Sequence, residues 1–376
     1  MSESSSIARI LRHPIGSAES RESTALLIGG GAFVVGAITG VIFFWGREVP
    51  ISGRGSIGDF VAIGGAVIAI AAFLFGCVLR SRGREGRAMA ASRPRVHWFD
   101  VAALTLAHAI IALLGWAGLA SLLSESFIGA TVYATSAALL AGVAMAVTAY
   151  MSYLSAVNLT PMLLSLVLAV FLAVGALASM LSATDPLWWQ KNLSTLGISD
   201  DISALAFNLT LIVAGVMVTT IAHYATAFLP HSTRSESRGR ALVRIALVLI
   251  GVLLACVGTF PVDEFLEAHN TAATGMAIVY VAMVLSLRWL LPSMPRIFIL
   301  LGYVYVGVIV VLAIFFITGY YNLTAVELVA AVLIFSWVIL FLRNTGAVET
   351  VSERSALTDA SRADAAHSHE VGAPTL

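Results

Sequence analysis

Apolar residues along this chain fall into ten long runs separated by short polar segments. They cover approximately 24–45, 57–79, 99–123, 128–150, 161–183, 203–229, 241–260, 270–291, 297–318 and 324–342. A bilayer core about 30 Å thick needs roughly 20 apolar residues in a helix. Each run meets that length, so the pattern predicts about ten transmembrane helices. The polar segment 1–23 before the first run lacks a small-residue cleavage site, and the run reads as an uncleaved anchor. A short interfacial helix is expected around 7–11. The stretch from 344 to 376, rich in Ala, Ser, Glu and His, reads as a disordered tail. The expected organisation is a cytoplasmic segment (1–23), a four-helix membrane region (24–160), a six-helix module (161–343) and a cytoplasmic tail (344–376).

Composition narrows the class. Hydrophobic residues make up 59% of the chain and charged residues 11%, against about 25% charged in a soluble domain. That excludes a cytosolic globular enzyme, and it excludes disorder for the bulk of the chain. The 21 basic and 21 acidic residues cancel, so a basic nucleic-acid-binding surface has no support. Two cysteines exclude a disulfide scaffold. Cys77 and Cys256 are expected near opposite faces of the membrane, where they cannot pair. The basic set is 20 Arg and a single Lys, Lys191, a bias typical of a GC-rich bacterial genome.

The placement of those bases orients the chain. With a cytoplasmic N-terminus, 18 basic residues fall on the inner side and only Arg47, Arg54 and Lys191 on the outer side. Basic residues are retained inside. The expected fold is therefore an all-α, multi-pass helix bundle of the plasma membrane with both termini cytoplasmic. Ten acids, among them Asp185, Asp263, Glu264, Glu267 and Glu327, fall at or near the outer face. They are either what remains once Arg is retained inside or a site for a cation or a polar head group. On the first helix Ala32, Gly36 and Gly40 form a small-residue stripe that lets helix backbones approach in lipid. It serves internal packing or a homo-oligomer through the Gly36/Gly40 face.

Two outer loops carry more polar groups than a short connection needs. The first contains Asp185, Trp188, Trp189, Lys191, Asn192, Ser194 and Gly197. The tryptophans fit an interfacial belt, and Ser199, Asp200 and Asp201 fit the cap and acidic first turn of the next helix. The second is Gly258 to Asn270, with Pro261, Asp263, Glu264, Glu267 and His269. If 263–269 is helical, Asp263 and Glu267 share a face. Asp263, Glu267 and His269 could hold a divalent metal, although the spacing matches no strict zinc signature. Ser194, Asp263 and His269 could instead supply nucleophile, orienting acid and base. Trp188, Trp189, Asn192 and Asn208 would then contact a substrate. Within the spans, His108 and His223 are expected as neutral groups hydrogen-bonded to a neighbouring helix. Glu327 is expected to reach the head groups. The sequence assigns no cofactor.

Taken in order, Asn192-x-Ser194-x-x-Gly197, Phe207-Asn208, Gly258-x-Phe260-Pro261-x-Asp263 and His269 at a helix start carry a resemblance. This part of the chain, about 161–343, resembles the bacterial domain-of-unknown-function family 998. That family is similar to the Frag/DRAM/Sfk group of six-helix membrane proteins. The resemblance implies a six-helix module and a lipid theme. Branches of the wider group remodel the acyl chains of glycosylphosphatidylinositol anchors or act in autophagy and lipid asymmetry. Three function classes remain open: a lipid-remodelling protein with membrane lipids as partners, a transporter or channel for a small polar or cationic solute, and a non-catalytic scaffold or lipid sensor.

Overall fold

The computed structural model describes residues 14–82, 98–198, 202–227, 229 and 233–345. Among them are ten helices long and apolar enough to cross a membrane. In chain order they are α1 (Ala18–Phe44), α2 (Ile57–Arg82), α3 (Trp98–Ser126), α4 (Ala134–Val157), α5 (Pro161–Leu181), α6 (Ile202–Ala227), α7 (Arg234–Thr259), α8 (Leu266–Leu290), α9 (Arg296–Ile317) and α10 (Leu323–Thr345). The protein is an all-α polytopic membrane protein, as the apolar pattern predicts.

Several helices outrun their apolar stretches, because polar residues cap and extend them where they leave the hydrocarbon. The α1 helix starts at Ala18, with the Ser17 hydroxyl accepting from the Ser20 amide at 3.0 Å. Thr24 and Arg21 tie it back to the carbonyls of Pro14 and Ile15. At the start of α7 the Thr233 and Glu236 side chains form a reciprocal capping box ahead of the apolar run. Thr160 caps α5, and Pro161 occupies its first turn, where a missing N–H costs nothing. Asn344 and Thr345, expected in the tail, complete α10. The rest of that tail, the helix expected at 7–11 and the cap expected at Ser199–Asp201 lie outside the described residues.

The pattern did not anticipate a two-stranded ribbon. β1 (Glu48–Pro50) pairs antiparallel with β2 (Thr131–Tyr133), with Val49 opposite Val132. The Thr131 hydroxyl donates to Glu48 across it at 2.9 Å. Three-residue strands are too short for alternation to register in a sequence.

The α1 helix lies along α4, α2 packs on α3 and α4, and α6 is flanked by α5 and α7. The small-residue stripe of α1 explains the first contact. A Cβ at Gly36 would sit 2.7 Å from the Met145 sulfur and 3.0 Å from the Gly142 Cα, and one at Gly40 would meet the Ala138 Cα at 2.9 Å. The Gly36/Gly40 face is thus covered by α4 of the same chain. The largest buried core joins Phe73 of α2 and Leu104 and Ile110 of α3 to residues of α5 through α10. It continues across residue 160. Phe298, Trp337 and Phe341 stack where α9 meets α10.

Candidate site at the outer turn

Between α5 and α6 the chain makes two short 3₁₀ turns, Trp188–Gln190 and Leu193–Gly197. Each polar residue of the Asn-x-Ser-x-x-Gly run has a distinct task there. The Asn192 side chain accepts from the Thr195 amide at 2.8 Å and caps the second turn. At Gly197 a Cβ would stand 2.5 Å from Asn208 Oδ1, so only glycine lets α6 come this close. Asn208 Nδ2 then donates to the Gly197 carbonyl at 3.0 Å. Asn192 and Asn208, expected to contact a substrate, spend these polar atoms on shaping the turn.

Ser194 faces α8. Its Oγ lies 2.9 Å from His269 Nε2, and His269 Nδ1 lies 2.7 Å from the Phe260 carbonyl oxygen. A carbonyl can only accept, so Nδ1 carries the proton and Nε2 presents its lone pair to the Ser194 hydroxyl. This is the tautomer a general base needs. The local sequence produces it. α7 ends at Thr259, Phe260 is its extended C-cap, and Pro261 stops the helix. The chain turns and α8 begins at Leu266, which sets His269 in its first turn, 4% exposed, over the Phe260 carbonyl.

The turn that directs the Phe260 carbonyl inward leaves Asp263, Glu264 and Glu267 exposed. Asp263 therefore does not orient His269, and a backbone carbonyl takes the place expected for that carboxylate. The metal reading fails on the same geometry. Both His269 nitrogens are engaged, and no group of three or more His, Cys, Asp or Glu side chains among the described residues could hold a metal ion.

The turn is also tied to α10. Glu327 does not extend to the head groups as expected; its Oε2 accepts from the Leu193 amide at 2.6 Å. Asn322, just before α10, donates to the Trp189 carbonyl at 2.9 Å. A glutamate near the start of an apolar helix was the available signal, since ionisable groups in a span seek a partner. Trp188 is half-buried and Trp189 is exposed. At the outer edge Asp185 accepts from the Leu187 amide at 2.9 Å and from Lys191 at 3.1 Å. These contacts, the amide first, hold its carboxyl below the usual carboxylate range.

On their other face Leu193 and Leu196 roof a cavity of about 320 Å³ between α5, α6 and α10. Its lining is almost wholly apolar, but Thr210 Oγ1 is buried there without a hydrogen-bond partner among the described residues. A buried threonine in a span ordinarily bonds a carbonyl of the preceding turn.

The two membrane histidines divide. His108 donates from Nδ1 to the Leu104 carbonyl at 2.7 Å and accepts from Ser155 of α4 at 2.8 Å. It is a helix-linking neutral histidine, as expected. His223 is exposed. A polytopic membrane protein with a serine–histidine pair at the turn between α5 and α6 is thus what fold and geometry establish; no family model, curated protein or solved structure matches the chain.

Proposed function

We propose that this protein acts on membrane lipids at its outer face, with Ser194 as nucleophile and His269 as general base in ester hydrolysis or acyl transfer. The observation that carries the reading is the 2.9 Å contact from Ser194 Oγ to His269 Nε2, in the tautomer fixed by the Phe260 carbonyl. As the Ser194 oxygen attacks an ester carbonyl carbon, its proton passes to Nε2. The bond to the alcohol breaks, and the leaving oxygen takes that proton. Water, or a second lipid hydroxyl, then attacks the acyl-serine and gives its proton to His269; the bond from the acyl carbon to Ser194 Oγ breaks, the free acid or new ester leaves, and His269 returns the proton to Ser194. A carbonyl behind Nδ1 orients the ring without the charge a carboxylate would supply to the imidazolium, so turnover below that of a full triad is expected.

The test is covalent. Purified protein treated with a fluorophosphonate should be labelled on Ser194, and His269→Ala should slow labelling and release of a fluorescent acyl chain from a phospholipid by about 10²-fold or more. Unchanged labelling and turnover in a folded His269→Ala protein would sink the reading. The pair would then be a tether of the outer turn, the scaffold alternative.

A further inference from the structure

The cavity under the outer turn is one end of a longer feature. At the opposite end of α5 and α10 lies a second cavity of about 510 Å³, lined by Asn158, Thr160, Leu163 and Arg343 among others. The two cavities share the lining residues Ala169 and Ile339, so they adjoin along a furrow between the two helices.

The inner end is cationic. Arg343 lines it and makes no hydrogen bond or ion pair with any other described residue. Arg21 does not line the cavity, but its Nη1 donates to Oδ1 of the lining residue Asn158 at 2.8 Å, which sets a second guanidinium beside it. No carboxylate lines this cavity. Glu22, the acid beside Arg21 in sequence, instead accepts from the Tyr150 hydroxyl. An apolar furrow ending at two guanidinium groups complements an amphiphile with an anionic head.

We propose that the furrow binds an anionic phospholipid of the cytoplasmic leaflet, its acyl chain between α5 and α10 and its phosphate at Arg343 and Arg21. Guanidinium suits this task because its planar fork meets phosphate oxygens in pairs. The inner end is also the side rich in Arg, where a leaflet rich in anionic lipid attracts bases. The site does not depend on the Ser194–His269 chemistry.

Native mass spectrometry of the purified full chain, incubated with dioleoyl phosphatidylglycerol or dioleoyl phosphatidylcholine, tests it. One phosphatidylglycerol should be retained in preference to phosphatidylcholine. Arg343→Gln should weaken retention by roughly tenfold, the scale of one charge-assisted contact. Ala169→Trp, which obstructs the furrow and leaves both charges, should abolish it in protein of unaltered thermal stability. Ser194→Ala should retain the lipid as wild type does, so failure here and failure of the outer-face chemistry read out separately. Equal retention of the two lipids, or wild-type retention in Arg343→Gln, would overturn the proposal. So would displacement of the lipid by millimolar inorganic phosphate, since that would mark a site for the free anion.

Discussion

His269 and His108 form the same pair of hydrogen bonds, yet their surroundings differ. Each has Nδ1 on a backbone carbonyl and Nε2 on a serine. Ser155 is buried between helices, whereas Ser194 sits half-buried on a turn at the outer end of the bundle. His108→Ala should therefore act on stability, by about 1–3 kcal/mol, because it strands a buried hydroxyl. Thermal unfolding would show it, with acyl release per folded molecule unchanged. Asp185 offers a second test at this scale. Its carboxyl is held below the ordinary value near 3.8 by the Leu187 amide and Lys191. A depressed folded value means that the contribution is present above that ordinary value and lost as the pH falls through the folded one. Tryptophan fluorescence from the Trp188–Trp189 turn should change on acidification below about pH 4, and Asp185→Asn should remove that step. The ion pair itself is exposed, so salt should weaken the effect.

At the scale of the helices, small residues decide which neighbours come close. In α1 the stripe was legible because three small residues repeat every fourth position. The α6–α7 contact was not. A Cβ at Gly215 would meet the Gly251 carbonyl at 2.3 Å, and one at Gly251 would meet the Gly215 carbonyl at 2.5 Å. Small residues do lie four apart on both sides of this crossing, Gly215 and Thr219 against Gly251 and Ala255, but as pairs they stand out less than the three of α1. Replacing Gly36 and Gly40 together by Leu should force α1 from α4 and lower stability, by about 1–3 kcal/mol per site. A thermal-shift assay on detergent-purified protein reads it directly. An unchanged midpoint would place that face against lipid. The same change at Gly30 and Gly31, which have no atom near their Cβ positions, should be tolerated.

For the whole molecule, the distribution of 18 basic residues against three predicts the orientation. In a background with Cys77 and Cys256 replaced by Ser, a cysteine at Gln190 should react with an impermeant maleimide on intact cells. One at Ser235 should react only after the cells are opened. External labelling at Ser235 would reverse the topology, and with it the assignment of the Ser194 turn to the outer face. The core bears on how the halves relate. Residues of α2 and α3 are buried with residues of α5 through α10, so the four-helix region contributes packing to the module that carries the site.

Chain sequence alone determined the spans, the asymmetry of charge and the two loops that matter. Length of apolar run and count of arginines are one-dimensional properties, and the membrane reads them directly. It also brought out Ser194 and His269 as a candidate pair, since a lone outer histidine and a serine in a tight turn stand out against apolar surroundings. Tertiary structure decided everything that depends on rotation about a helix axis. A helix apolar on all sides carries no face signal, so no pattern could tell whether Glu327 faced the head groups or the Leu193 amide. Nor could spacing choose between Asp263 and the Phe260 carbonyl as the partner of His269. That choice follows from where Pro261 breaks α7 and how the next turn closes, which points the carboxylate to water and the carbonyl to the ring. The ribbon of β1 and β2 and the furrow between α5 and α10 likewise exist only once segments distant in sequence are brought side by side.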